Sequence, residues 1–182
     1  MRSLFGENWH EIEDAEALEK HWASAWILEQ GSLTECVRAC CRDEFQVKVL
    51  CHRFIEAPVF ASQALAIDAG TSVLHREVLL CDGESPLVFA CSLLPESALV
   101  GRYEELRQLG TRPLGHWIFS KPALHREEML YATLPSDKVL FARLREVETL
   151  PDTLIGRKTL FTGASKPFLV SEFFLPALQE RQ

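Results

Sequence analysis

Two charged residues stand where a strand pattern calls for hydrocarbon. In "VLHREVLLC" (73–81) successive side chains of a strand alternate between faces, so Leu74, Arg76, Val78 and Leu80 share one face. Arg76 interrupts an otherwise aliphatic row. In "KPFLVSEFFLP" (166–176) Phe168, Val170, Glu172 and Phe174 share a face, and Glu172 interrupts it in the same way. Two inner strands thus each carry one charge inward, and the charges are opposite.

One chemistry for such a pair is a buried ion pair, Arg76 with Glu172, which stabilises little because desolvation offsets much of the Coulomb gain. The other is a ligand site. An apolar pocket with a few converging polar groups is the usual form of a small-molecule site. There Arg76 would hold a ligand carboxylate by a bidentate hydrogen bond, and Glu172 would meet the far end of the ligand. Two helix starts favour the second chemistry. Leu33 follows the cap Ser32 and Leu114 follows Pro113. The first N–H groups of a helix lack an internal partner and attract anions.

The elements that must position these residues follow from pattern. A helical stripe runs from Ala15 to Gln30, with Asp14 as cap and Gly31 as stop. "SLTE" is a capping box that starts a second helix at once, Ser32 as cap and Glu35 three residues on. Strands are expected at 45–55 and 73–81, with a "DGESP" turn leading to a returning strand at 87–95. A short helix at 102–110 ends at Gly110, and Pro113 opens another. Strands follow at 123–134, 157–163 and 166–176, the last closed by Pro176, with a partly helical insertion at 135–151. Turn-linked strands with helices before and between them give the α+β class: one domain over 1–182, an antiparallel sheet with helices packed on it.

A formal net charge of −7 without a basic cluster argues against a nucleic-acid partner, and an anionic ligand would need local positive groups. The acidic N-terminal stretch is neither a secretory signal nor an anchor, and no apolar run approaches the ~20 residues of a membrane span. A soluble cytoplasmic protein is expected. Six cysteines include no C-x-x-C pair. Cys36, Cys40 and Cys41 with Cys51-His52 could be drawn as a metal cluster. But Leu33, Cys36, Val37 and Cys40 recur at helical spacing and read better as reduced core thiols, so no metal site is expected.

Three ordered blocks, "LHREVLLCDGESPLVFACSLLPESAL", "LGTRPLGHWIFSKPALHRE" and "SKPFLVSEFFLP", resemble the chorismate pyruvate-lyases of early ubiquinone synthesis. The likeness runs from about Trp22 to Pro176. It implies a six-stranded antiparallel sheet with helix-turn-helix flaps over a buried ligand cavity. It also implies conversion of chorismate to 4-hydroxybenzoate and pyruvate without metal or organic cofactor. By that resemblance Arg76 binds the ring carboxylate, Leu114 contributes its backbone N–H, and Glu172 meets the ring hydroxyl. Leu33 stands for a first-flap residue that is methionine in some members, a change that spares a backbone role and alters a side-chain lid. Arg76 and Glu172 are then the catalytic residues, with Leu33 and Leu114 completing the substrate site.

The enolpyruvyl carboxylate needs its own partner; Arg157 and Lys166 are candidates by position, with solvated charges at strand ends as the alternative. His75, His116 and His125 lie off the assigned inward face and read as structural or surface groups. The tryptophans Trp9, Trp22, Trp26 and Trp117 suit helix packing. The same fold serves as the effector-sensing domain of bacterial transcription regulators, so a non-catalytic aromatic-acid binder is the alternative function. The roughly 70 residues that precede Val73 are acidic overall and carry no basic recognition helix, which disfavours a regulator. A monomer is expected, and a related lyase chemistry would give 3-hydroxybenzoate instead.

Overall fold

The computed structural model describes residues 9–12, 18, 20–120, 124–162 and 166–181. Its strands are β1 (His10–Glu11), β2 (Phe45–Glu56), β3 (Ser72–Asp82), β4 (Ser85–Pro95), β5 (His125–Pro135), β6 (Thr153–Thr162) and β7 (Phe168–Phe174). They form one sheet in the order β1-β5-β6-β7-β4-β3-β2, every pair antiparallel. The expected strand count of about six is therefore seven among the described residues. The addition is the two-residue β1, which edges β5.

Helices are short: α1 (Ser24–Leu28), α2 (Leu33–Cys40), α3 (Val59–Leu65), α4 (Leu114–Phe119), α5 (Ala142–Val147) and α6 (Pro176–Gln179). A 3-10 segment, Gly101–Gln108, precedes α4. The expected helix from Ala15 is helical only over α1 in its described part; Asp14 and Ala15 lie outside the described residues. The Ser32 cap is as expected, its hydroxyl accepting from the Glu35 N–H at 3.3 Å. The second half of the capping box is not made: the Glu35 carboxylate turns to Arg38 and His116. The 135–151 insertion is partly helical, through a 3-10 turn at Val139–Phe141 and α5. α3 was not anticipated.

Both faces of the sheet are covered. On one face α1, α2, the Gly101–Gln108 segment and α4 pack over Leu74, Val78, Leu80, Leu94, Phe168 and Phe174. On the other, α5 and its flanks cover Leu79, Phe89 and Phe173, with Phe141 edge-on to Phe173 at 4.7 Å, while α3 covers Val73, Leu93 and Leu169. Gly156, in the middle of β6, exists for that packing. A Cβ there would lie 2.4 Å from the Phe173 ring and 2.5 Å from the Glu172 carbonyl oxygen.

β6 also buries a lysine. Lys158 is 1 % exposed, and its Nζ has no hydrogen-bond partner among the described residues, lying 4.4 Å over the Trp9 ring. Burial lowers its pKa to about 7. Between pH 7 and pH 10.5 the unfolded chain keeps a proton that the folded chain has released, so stability rises with pH across that window. Lys158→Met removes this penalty. The variant should be more stable than the parent at pH 7, on the order of 4 kcal/mol, with the gap closing towards pH 10.5. Denaturant unfolding of both proteins at a series of pH values checks this; a gap independent of pH would refute it.

Candidate functional site

Arg76 and Glu172 do share a face, but they are not each other's partner. Register places Arg76 of β3 beside Ser92 of β4, and Ala90 of β4 beside Glu172 of β7. Two strand spacings, about 10 Å, and one step along the strands separate the charges. The buried pair drawn from sequence is replaced by a different one. Arg157 Nε donates to Glu172 Oε2 at 2.6 Å, across neighbouring strands in register.

Arg157 was expected at a strand end, in solvent or facing a ligand. It is mid-strand and 2 % exposed, because β6 begins at Thr153 rather than at Arg157. Its Nη1 donates to the carbonyls of Trp26, Ile27 and Glu29, at 3.1, 3.3 and 2.7 Å. These are the last carbonyls of α1 and its C-cap, which a helix leaves without partners. Arg157 thereby fixes the first flap, α1 and α2, to the sheet. Lys166, the other candidate, is exposed at the approach to β7.

Arg76 holds the second flap in the same manner. It is 1 % exposed, and its Nη2 donates to Gly110 O at 2.9 Å and Arg112 O at 3.2 Å. Those carbonyls belong to the turn that leads into α4. Nη1 lies 3.2 Å from His52 Nδ1. His52 Nε2 lies 2.9 Å from Arg107 O, which assigns the imidazole proton to Nε2 and leaves Nδ1 to accept from the arginine. No carboxylate pairs with Arg76 among the described residues, and its Nε has no partner. Burial alone lowers its pKa to about 10, still charged at neutral pH. A buried cation with only carbonyl dipoles and a neutral imidazole around it is under-compensated.

The two helix starts meet at this place. Leu114, the first residue of α4, comes two positions after the Arg112 carbonyl that Arg76 holds. At Gly115 an added Cβ would lie 2.5 Å from Thr34 Oγ1 and 3.7 Å from Ser32 Oγ. The glycine of "PLG" thus lets the start of α4 abut the start of α2, where Leu33 lies. Leu33 and Leu114 are buried, and both helix N-termini bring partial positive charge to the neighbourhood of one guanidinium. Three of the four residues named from sequence are gathered here, and Glu172 stands across Ala90.

Ala90 lies between them. In the central strands β6, β7, β4 and β3, Ala90 and its register partner Glu172, 16 % exposed at the side chain, are the two interior flap-face positions that are half-buried rather than buried. Val78 and Val170 beside them keep traces. A methyl group at the middle of a seven-stranded sheet is thus half-buried under the flaps, with Val78 and Glu172 on its neighbouring strands and Arg76 one strand away and one step along. Arg126 of β5 spans the flaps, donating to Gln30 O and Gly31 O and lying 4.9 Å over the Phe119 ring.

The histidines behave as expected of structural or surface groups: His116 is largely exposed, His125 is exposed, and His75 faces the opposite side of the sheet. Trp117 is core and donates to Glu105, and Trp22 and Trp26 pack against the first flap's cluster. Sequence reasoning missed His52 and Arg126. A β-bulge between Val49 and Cys51 shifts the phase of β2 and turns His52 onto the flap face, which strict alternation would not reveal.

The profile of the family described as chorismate lyase matches residues 6–182. A probable chorismate pyruvate-lyase of Nitrosomonas eutropha is 31 % identical over 173 residues, covering 94 % of this chain and 95 % of that protein. One of Methylococcus capsulatus is 37 % identical over 158 residues, covering 85 % and 94 %. In fold the chain is similar to the PhnF C-terminal domain, TM-score 0.58 at 16 % identity, covering 74 % of this chain and 84 % of that one. It is also similar to the PhnF effector domain of Mycobacterium smegmatis, TM-score 0.57 at 17 % identity, covering 82 % and 91 %. With its profile matched over nearly the full length and the curated relatives alike across most of theirs, this chain belongs to the chorismate lyase family.

Proposed function

We propose that the flaps enclose a chamber over Ala90 that binds chorismate and eliminates pyruvate from it to give 4-hydroxybenzoate, the aromatic acid of ubiquinone synthesis. The observation that carries this reading is Arg76: a buried, charged guanidinium that lacks a carboxylate partner, beside two helix starts. An arriving ring carboxylate supplies the missing negative charge. It takes charge-assisted hydrogen bonds from Arg76 and one from the Leu114 N–H, with the start of α2 at Leu33 closing the cradle.

The chemistry asks little of the protein beyond geometry. The C4–H and C3–O bonds break, the ring becomes aromatic, and the departing enolpyruvate takes up a proton to become pyruvate. Aromatisation drives the step, and atoms balance without an external oxidant or reductant. The chain holds the ring flat over Ala90, between the valines, and excludes water under the two flaps. Glu172 accepts a hydrogen bond from the 4-hydroxyl. Arg157 keeps that carboxylate in place and, through the α1 carbonyls, ties its position to closure of the first flap.

Two sets of variants test the roles. Arg76→Met should lower kcat/KM for chorismate by at least about 100-fold, the loss of a charge-assisted pair worth roughly 3 kcal/mol. Its unfolding free energy should fall by about 1–3 kcal/mol at most, because loss of an uncompensated buried charge offsets part of the cost of leaving the Gly110 and Arg112 carbonyls without their donor. Pyruvate release and 4-hydroxybenzoate formation give the readout. Tight 4-hydroxybenzoate binding with no turnover by the parent protein would instead establish the effector-sensing alternative, and 3-hydroxybenzoate as product would overturn the assigned regiochemistry.

Glu172 behaves differently from what an unpaired carboxylate would. Because Arg157 stands on it, Glu172→Ala should cost about 3–5 kcal/mol of stability as well as activity. The double variant Glu172→Leu with Arg157→Met should regain most of that stability and remain inactive. Equal stability of the single variant and the parent would show that the ion pair contributes nothing.

A further inference from the structure

The face of the sheet away from the flaps carries a cluster that the proposed lyase chemistry does not use. His75 and Glu77 of β3 and Cys91 of β4 all point to that side, and Cys91 is the register partner of Glu77. Their donor atoms lie within 4.8 Å of one another, and no other group of three such residues does so among the described residues. The metal cluster weighed from sequence at Cys36, Cys40, Cys41, Cys51 and His52 is not gathered there; the convergent donors are elsewhere.

The geometry points to a site for a zinc ion held by His75 Nε2, Glu77 Oε1 and Cys91 Sγ. His75 Nε2 is 3.0 Å from Glu77 Oε1 and 3.5 Å from Cys91 Sγ. Tetrahedral zinc with ordinary Zn–N, Zn–O and Zn–S bonds sets N···O near ~3.3 Å and N···S near ~3.5 Å. One ring nitrogen therefore faces a carboxylate oxygen and a thiol at separations close to those that a shared cation would impose, so that small side-chain shifts complete the coordination. A His–Glu hydrogen bond alone does not call for the thiol.

The surroundings complete the site. Arg143 Nη1 donates to the other oxygen, Glu77 Oε2, at 2.9 Å, which fixes the carboxylate and leaves Oε1 turned to the cluster. Glu77 and Cys91 are buried, at 3 and 3 % exposure. The cluster lies in the wall of a cavity of about 400 Å³, whose apolar side includes Ile55, Phe60, Leu93 and Leu140. Three protein donors leave the fourth position of a tetrahedral ion open to that cavity, for water or a small ligand. Mixed nitrogen, oxygen and thiolate donors suit a borderline-soft ion, which favours zinc over magnesium or calcium. Binding displaces the thiol proton to solvent. This site is independent of the chamber over Ala90, on the other side of the sheet.

The test uses the full chain after treatment with a chelator, titrated with zinc chloride and, separately, with cobalt(II) chloride. One zinc should bind per chain, raising Tm, and cobalt should give the intense visible bands of a tetrahedral ion together with a thiolate-to-cobalt charge-transfer band. Cys91→Ser should abolish the charge-transfer band and weaken zinc by about 10-fold or more. His75→Gln should remove the zinc-induced rise in Tm, read even where Cys91→Ser folds poorly. Cys36→Ser, in the other cysteine group, should keep both signatures. Absence of stoichiometric uptake, equal binding by His75→Gln and the parent, or loss of the signature in Cys36→Ser would overturn the assignment.

Discussion

Buried guanidinium groups holding main-chain carbonyls are the interaction on which the flap face depends. α1 has five residues and α4 six, too short to persist alone, since helix nucleation is unfavourable and few bonds follow it. What keeps them in place is burial of Ile27, Leu114, Trp117 and Ile118 together with two arginines from the sheet. Arg157 takes three carbonyls at the end of the first flap, and Arg76 takes two at the entry to the second. Each cation offers several donors in a fixed plane, which a lysine could not do. Lys158, next to Arg157 but on the opposite face, illustrates the contrast. Its single ammonium finds a ring face and no carbonyl, and burial lowers its pKa to about 7.

The two arginines differ in what remains to be compensated. Arg157 has a carboxylate at 2.6 Å, so its charge is neutralised inside the chain. Arg76 has dipoles and an imidazole, and an Nε without partner. The difference maps onto position. Glu172 reaches Arg157 because the two are in register on adjacent strands, whereas β4 stands between Glu172 and Arg76. At the crossing point β4 offers Ala90 and Ser92, among the smallest side chains in the sheet. Small side chains there keep β4 from adding bulk between the cation and the carboxylate, so the uncompensated charge stands beside the least bulky stretch of the flap face.

The strands were legible because their faces alternate and their turns carry Gly, Pro and Asp; β3, β4 and the "DGESP" turn between them are where the pattern puts them. Arg76 and Glu172 were legible as charges on apolar faces, and their shared side of the sheet follows from that. Their partners were not. Partner choice depends on strand order, and the order β6-β7-β4-β3 is set by long-range pairing that no local pattern records. His52 was hidden by a bulge, and Arg157 by a strand start placed four residues late. α3 escaped because its seven residues, VFASQAL, carry no cap signal; Pro58 stands at its N-cap and its hydroxyl-bearing Ser62 is interior.

The opposite-face cluster shows the same limit in reverse. Strict alternation puts Val73, His75, Glu77, Leu79 and Cys81 together on the second face of β3, where the pattern alone does not show that the face is enclosed. It is buried too: α3 and α5 cover it, and Glu77 is as deep as the leucines around it. Both faces of the central strands being enclosed, a polar group on either needs a partner. On the flap side the partners are carbonyls and a carboxylate. On the far side they are Arg143, His75 and a thiol, drawn to one point because β3 and β4 place Glu77 and Cys91 directly opposite each other. A single-residue step along β3, from Arg76 to His75 on one side or Glu77 on the other, therefore links the two polar centres through one rigid strand while the sheet itself keeps them apart.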